Sequence, residues 1–225
     1  MNEAIIDVEI GNQMEHGANW DNKKAEIICV GVLLMHDGKR DGIVHLIKLK
    51  EYTKEEYAQN IVRLFESLYK AEYKLWALNA IFEEEAIEAN FGIRPQICEI
   101  RHGLHGNLSS KDNLYKYLQR TLGLKEIKDN LNGNTDLIPD FYKQYIQDDE
   151  YFYLQEILQH NTNCLLKEYH ILKEIKTILK NAEVDKRGFI ERFREDKREG
   201  DVPAAKKPEN VADNQARRRG SIEKG

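Results

Sequence analysis

Cysteine is scarce in this chain. Cys29, Cys98 and Cys164 are all that its 225 residues contain. They are far apart, odd in number and form no CxxC pair, which excludes a disulfide framework or a zinc knuckle and leaves three reduced thiols as the expectation. Long apolar runs are missing too: none approaches the roughly 18 residues of a membrane span, so no membrane partner is expected. The start, Met1-Asn2-Glu3, has no basic region, and Asp7 and Glu9 interrupt the first apolar stretch. A secretory signal is therefore not read, and a cytoplasmic location is expected. There is no Gly-rich phosphate loop ending in Gly-Lys-Ser/Thr, and no internal repeat.

What is present is an ordinary globular mixture, with 41% hydrophobic and 32% charged residues. The length suits one domain with an appendage and one active site. The formal net charge of −5 conceals an asymmetry: from Lys186 onward there are 12 basic against 8 acidic residues, so that residues 1–185 carry −9. We therefore divide the chain into an acidic domain, 1–185, and a charged tail, 186–225. From about Arg198 the tail has almost no large apolar residue to offset the entropy cost of ordering, and it is expected to be disordered. Its Arg217-Arg218-Arg219 run offers a contact for phosphates or an acidic protein partner, although a solvated tail is the plainer reading.

Hydrophobic periodicity gives the order βββαβαβ followed by helices. Ala4 to Val8 and Ala25 to Met35 are apolar, partly β-branched runs of the kind a covered sheet requires, and Ile43 to Leu49 makes a third strand. Turn chemistry precedes that strand at Asp37-Gly38 and again at Asp41-Gly42. Lys54 to Lys70 repeats apolar residues at helical spacing, with Thr53 and Glu56 placed for a capping box. Leu75 to Leu78 reads as a strand, Glu83 to Phe91 as a helix stopped by Gly92, and Gln96 to Ile100 as a fifth strand. Helices are expected over Asn113 to Leu122 and Ile138 to Gln147, with an Asn-, Gly- and Asp-rich loop from Asp129 to Asp136 between them. Tyr151 to Leu179 carries the longest apolar stripe, as one long helix or two in tandem.

Chemistry enters with Ile6-Asp7-Val8-Glu9. Two carboxylates at i and i+2 on a strand project from one face while Ile6 and Val8 face the other way. Oxygen ligands so placed suit Mg²⁺ or Mn²⁺, and a pair of such ions supports phosphodiester cleavage; two surface acids at a strand end are the alternative. Glu83-Glu84-Glu85 reads either as a further ligand source or as a helix start favoured by the dipole. His160 and Cys164, four apart, could pair a thiol with a base, but no orienting acid is legible nearby and a buried helical cysteine is usually inert. His16, His36, His45, His102 and His105 lack convincing ligand spacing for zinc.

An amino-terminal strand with Asp7-Val8-Glu9, two more strands, a helix and a strand ending in Leu78-Asn79-Ala80-Ile81-Phe82-Glu83 resembles the DEDD 3′–5′ exonucleases of the ribonuclease H-like superfamily. Ile138-Pro139, Tyr142 and Tyr145, followed by His160-Asn161 ahead of Leu165-Leu166, are similar to the YprB-like branch of that superfamily. The resemblance covers about residues 4–175. It implies an α/β domain with a mixed five-stranded sheet, three antiparallel strands and then parallel ones, flanked by helices and completed by a helical C-terminal part.

The resemblance further implies that Asp7, Glu9 and Glu83 hold Mg²⁺ or Mn²⁺, that His160 activates water, and that the substrate is DNA or RNA, at single-stranded 3′ ends. Two positions depart from the family pattern. Glu83 replaces an aspartate, and Cys164 stands where the fourth acid belongs, with Asn163 or Glu168 as possible compensation. Two functions follow: a metal-dependent 3′–5′ exonuclease with a weakened site, or a pseudo-nuclease that binds nucleic acid or protein without turnover.

Overall fold

The computed structural model describes residues 1–14, 21–101, 111–131 and 134–181, with side chains as far as Thr177. His16, His102, His105, the end of the domain at 185 and the whole tail, including Arg217 to Arg219, lie outside the described residues. Two compact units divide the chain, Met1–Thr177 and Ile178–Gly225. The elements below belong to the first, apart from the end of the last helix.

Among the described residues the strands are β1 (Asn2–Ile10), β2 (Ile27–His36), β3 (Lys39–Ile47), β4 (Lys74–Ala77) and β5 (Ile97–Glu99). The helices are α1 (Lys54–Lys70), α2 (Ala80–Phe91), α3 (Lys111–Leu122), α4 (Ile138–Asp148) and α5 (Tyr151–Asn181). The strands form one sheet in the order β3-β2-β1-β4-β5. β1 pairs antiparallel with β2, and β2 with β3, whereas β4 runs parallel to β1 and β5 to β4. This is the mixed α/β sheet with flanking helices and a helical C-terminal part that the sequence led us to expect.

β1 lies at the centre, and its two faces have different jobs. Ala4, Ile6 and Val8 join a core with Tyr57, Ile61, Phe65 and Leu68 of α1 and Ala86 and Ile87 of α2. The opposite face carries Glu3, Ile5, Asp7 and Glu9, and all four are buried. Its neighbours are a second cluster that joins Ile28 and Cys29 of β2 to Ile138, Tyr142 and Tyr145 of α4 and Leu154 and Ile157 of α5. Period-2 alternation therefore delivers the two acids to the underside of α5 while the other face packs normally.

Local chemistry explains several element ends. Asp37 (φ 49°) and Gly38 (φ 74°) both adopt positive φ and close the β2–β3 hairpin as a tight turn of the primed type. Asp41-Gly42 is not a second turn: it lies inside β3, where Gly42 faces Leu34 beside a register irregularity, so β3 begins four residues earlier than expected. Thr53 accepts from the Glu56 N–H while the Glu56 carboxylate accepts from the Thr53 N–H, the reciprocal box that starts α1. α2 also begins early, because the Asn79 carbonyl already accepts from the N–H groups of Phe82 and Glu83. Glu83 thus lies in the first turn of the helix, the helix start the sequence offered, and is buried there. Gly92, at φ 70°, ends α2 as read from the sequence. Tyr151–Asn181 is one continuous helix. None of the helices among the described residues is long and apolar enough to cross a membrane.

Candidate active site

Midway along α5 the buried face changes character. Apolar burial by Leu154 and Ile157 gives way to His160, Asn161, Asn163, Cys164, Lys167 and Glu168, all buried, before Ile171 and Leu172 restore it. A soluble helix buries a run of polar groups only when each finds a partner, since an unpaired one costs on the order of 1–3 kcal/mol. The partners come from β1, α3 and the loop before α4.

Asn161 is the hinge pin between α5 and β1. Its amide nitrogen donates to Asp7 Oδ2 (2.8 Å), to Glu9 Oε1 (3.2 Å) and to the Asp7 carbonyl (3.3 Å). Three acceptors on one nitrogen fix the amide's orientation, so Oδ1 points toward β2, where it has no conventional donor. Gly31 of β2, opposite Asp7 in the ladder, makes that approach possible. A Cβ on Gly31 would lie 1.8 Å from Asn161 Oδ1 and 2.9 Å from Leu165 Cδ1. Gly31→Ala is therefore expected to push α5 off β1 at this level and to destabilise the fold by about 1–3 kcal/mol. Chemical denaturation of the variant checks this, and wild-type stability would show that α5 yields freely.

Lys111, the first residue of α3, brings a cation to the acids. Its ammonium donates to Asp7 Oδ1 at 2.7 Å and meets Glu168 Oε1 at 2.7 Å. Burial disfavours the ammonium, yet Asp7, Glu168 and Cys164 hold it well above the usual lysine range. Glu83 faces the same space from α2, and burial together with Glu168 and Asp7 pushes its carboxyl well up. Burial and Asp7 raise Glu9 to about 8, against the opposing pull of His160 and Lys111. Glu168 also rises to about 8, mainly through burial, with Lys111 opposing. Glu83 Oε2 and Glu168 Oε2 are both buried without a hydrogen-bond partner. Four carboxyls thus crowd around Lys111, and two of their oxygens are left without a hydrogen-bond donor.

His160 completes the group from the other side. Its Nδ1 lies 2.9 Å from Asp129 Oδ1, and its Nε2 lies 3.5 Å from Cys164 Sγ and 4.0 Å from Glu9 Oε1. Asp129 is itself fixed by the Leu131 N–H at 3.2 Å and by Lys167 Nζ at 3.4 Å. Burial acts to neutralise the imidazole, but Asp129, Cys164 and Glu9 outweigh it and raise the ring to about 11. With nothing bound the ring is therefore an imidazolium, a proton donor. Burial raises the Cys164 thiol as well, so it is not a ready nucleophile.

Asp7, Glu9, Glu83, Lys111, His160, Cys164 and Glu168 line a cavity of about 260 Å³, with Asn79, Phe82 and Thr135 on its wall. A second cavity of about 330 Å³ shares Val8, Glu9, Asn79, Phe82 and Thr135 and extends toward Ile138 and Pro139. Asp7, Glu9, Glu83, His160 and Cys164, singled out in the sequence, all meet at the first cavity. Lys111, Asp129 and the bridging role of Asn161 were not foreseen. His36 and His45 lie away from it: His36 contacts Asn2 and Asp37, and His45 contacts Thr162. No protein-family model and no curated protein matches the chain.

Proposed function

We propose that this protein is a divalent-metal-dependent phosphodiesterase that shortens nucleic acid from the 3′ end, built on the DEDD exonuclease plan. One observation carries the reading: carboxylates from β1, α2 and α5 line one cavity in excess of the cations facing them, with Glu83 Oε2 and Glu168 Oε2 left unpartnered. Hard oxygen donors in surplus of charge are what Mg²⁺ or Mn²⁺ requires, so the residues fit the metal. Asp7, Glu9, Glu83 and Glu168 would hold it, and a bound ion would supply an activated water and charge neutralisation at the phosphate.

The departures of the family pattern look milder in this geometry than along the chain. Cys164 contributes no carboxylate, but Glu168, one turn further along α5, places one beside Asp7 through their shared Lys111. His160, oriented by Asp129, faces the cavity through Nε2, and a cation held at the acids would lower its proton affinity toward the range where it can serve a water. Phe82 and Pro139 flank the neighbouring cavity and give a substrate strand an apolar wall.

A cleavage assay on 3′-resolved single-stranded DNA and RNA, with Mg²⁺, Mn²⁺ or chelator, tests the reading. Stepwise shortening that needs the metal is expected. Absence of cleavage with both metals, including after Cys164→Asp restores a fourth acid in the family position, would favour the pseudo-nuclease, which binds such strands without turnover.

A further inference from the structure

Cys164 has more to offer than a missing carboxylate. We propose that Glu9, His160 and Cys164 form a site for a borderline-soft cation, Zn²⁺ in the first place, distinct in chemistry from the Mg²⁺ or Mn²⁺ expected at the acids. One ligand atom of each residue lies within 4.8 Å of the other two, and all three residues are buried. Cys164 Sγ to His160 Nε2 is 3.5 Å and His160 Nε2 to Glu9 Oε1 is 4.0 Å. Zn–S of about 2.3 Å and Zn–N or Zn–O of about 2.0–2.1 Å at tetrahedral angles give ligand–ligand edges of about 3.3–3.6 Å. The three donors therefore need only a small inward adjustment to share one ion.

The surroundings are those of a built site. Asp129 engages Nδ1 of His160, which leaves Nε2 directed at Cys164 and Glu9. A carboxylate behind the ligating imidazole is the arrangement that orients zinc-binding histidines. Asp129 is in turn anchored by the Leu131 N–H and Lys167, and Asn161 holds Glu9 Oε1 from the opposite side at 3.2 Å. All three residues line the cavity, so an ion held by them would keep room for a fourth ligand, as in sites with three protein ligands that do chemistry. A thiolate, an imidazole and one carboxylate select zinc over magnesium, and binding expels to solvent the Cys164 thiol proton, the His160 Nε2 proton and any proton held by Glu9. The inference does not depend on the phosphodiesterase reading: a pseudo-nuclease with this geometry would bind the ion equally well.

Cobalt(II) titration of the full-length, reduced, chelator-treated protein tests it. One equivalent is expected to give a thiolate-to-cobalt charge-transfer band in the near ultraviolet, abolished by stoichiometric Zn²⁺ and unaffected by excess Mg²⁺. Cys164→Ser should remove the band, while Cys98→Ser, and Cys29→Ala in the strand position facing Glu9, retain it. Asp129→Asn should keep the band and weaken binding by about 10–100-fold, the usual effect of losing the group behind a ligating histidine. Should Cys164→Ser fail to fold, alkylation mapping on the wild type decides: zinc must protect Cys164 selectively. No band, a band that survives Cys164→Ser, equal displacement by Mg²⁺ or unselective protection would each overturn the site. Mg²⁺-dependent cleavage without a cobalt band would overturn the zinc site alone, whereas a band without cleavage would overturn only the phosphodiesterase.

Discussion

Asp7→Asn is expected to lower metal-dependent cleavage by at least about a hundredfold, the scale on which removing one preorganised electrostatic contact commonly acts. Asp7 touches the groups that organise the cavity: Lys111 through Oδ1, and Asn161 through Oδ2 and its carbonyl. An asparagine keeps the shape and can still accept from Asn161, but its amide nitrogen then faces the Lys111 ammonium, donor against donor. The substitution removes one charge from the set that would hold the ion without emptying any packed volume, so far-ultraviolet circular dichroism should remain that of wild type. Glu168→Gln gives the informative comparison. If Glu168 stands in for the acid absent at Cys164, it should cause a loss of similar size. A folded Asp7→Asn protein that cleaves at the wild-type rate would place the chemistry elsewhere.

The sheet was legible because its signals are local. β1 carries an apolar, partly β-branched run, Asp37-Gly38 supplies the positive φ that a primed turn needs, and Thr53 and Glu56 announce α1. Asp41-Gly42 misled because the same dipeptide chemistry can be absorbed as an irregularity within a strand. Asp7 and Glu9 were readable as a pair because i and i+2 share a face. Lys111 and Asp129 were not, because no strand or helix spacing ties either residue to Asp7 or His160. Asp129 looked like one more turn former between Lys128 and Asn130, yet it is the residue that sets His160. Gly31 did carry a signal that the reading passed over: a lone glycine in Ile27-Ile28-Cys29-Val30-Gly31-Val32 marks a place where something comes close to the backbone, and here that is Asn161. The apolar stripe of α5 is buried at Leu154, Ile157, Leu165 and Leu172, but periodicity counts only apolar residues. It therefore says nothing of Asn161 and Lys167, which are buried too.

Lys111→Met is expected to destabilise the metal-free protein by about 3 kcal/mol, the lower end of the roughly 3–5 kcal/mol that follows when one partner of a buried ion pair is removed. The lower end applies because the Lys111 side chain is 21% exposed, against 8% for Asp7 and 1% for Glu168. Methionine preserves most of the aliphatic stem, so the loss reports the ammonium and not a cavity. Proton linkage gives a second readout. Glu9 and Glu168 have native values of about 8 against an ordinary 4.5, so between those values the native state holds protons that the unfolded chain releases. Stability without metal should therefore fall as pH rises from about 4.5 to about 8. Because Lys111 opposes the rise at both glutamates, its removal should extend that fall to higher pH. Added Mg²⁺ should return more stability to the variant than to wild type, since the ion then meets Asp7 and Glu168 without a competing ammonium. Denaturant midpoints across this pH range, with chelator and with Mg²⁺, provide the check. Equal stability of variant and wild type in chelator would mean that the ammonium contributes nothing net to the fold. A variant that gains no more from Mg²⁺ than wild type would separate Lys111 from the ion and place the ion nearer Glu9 and Glu83.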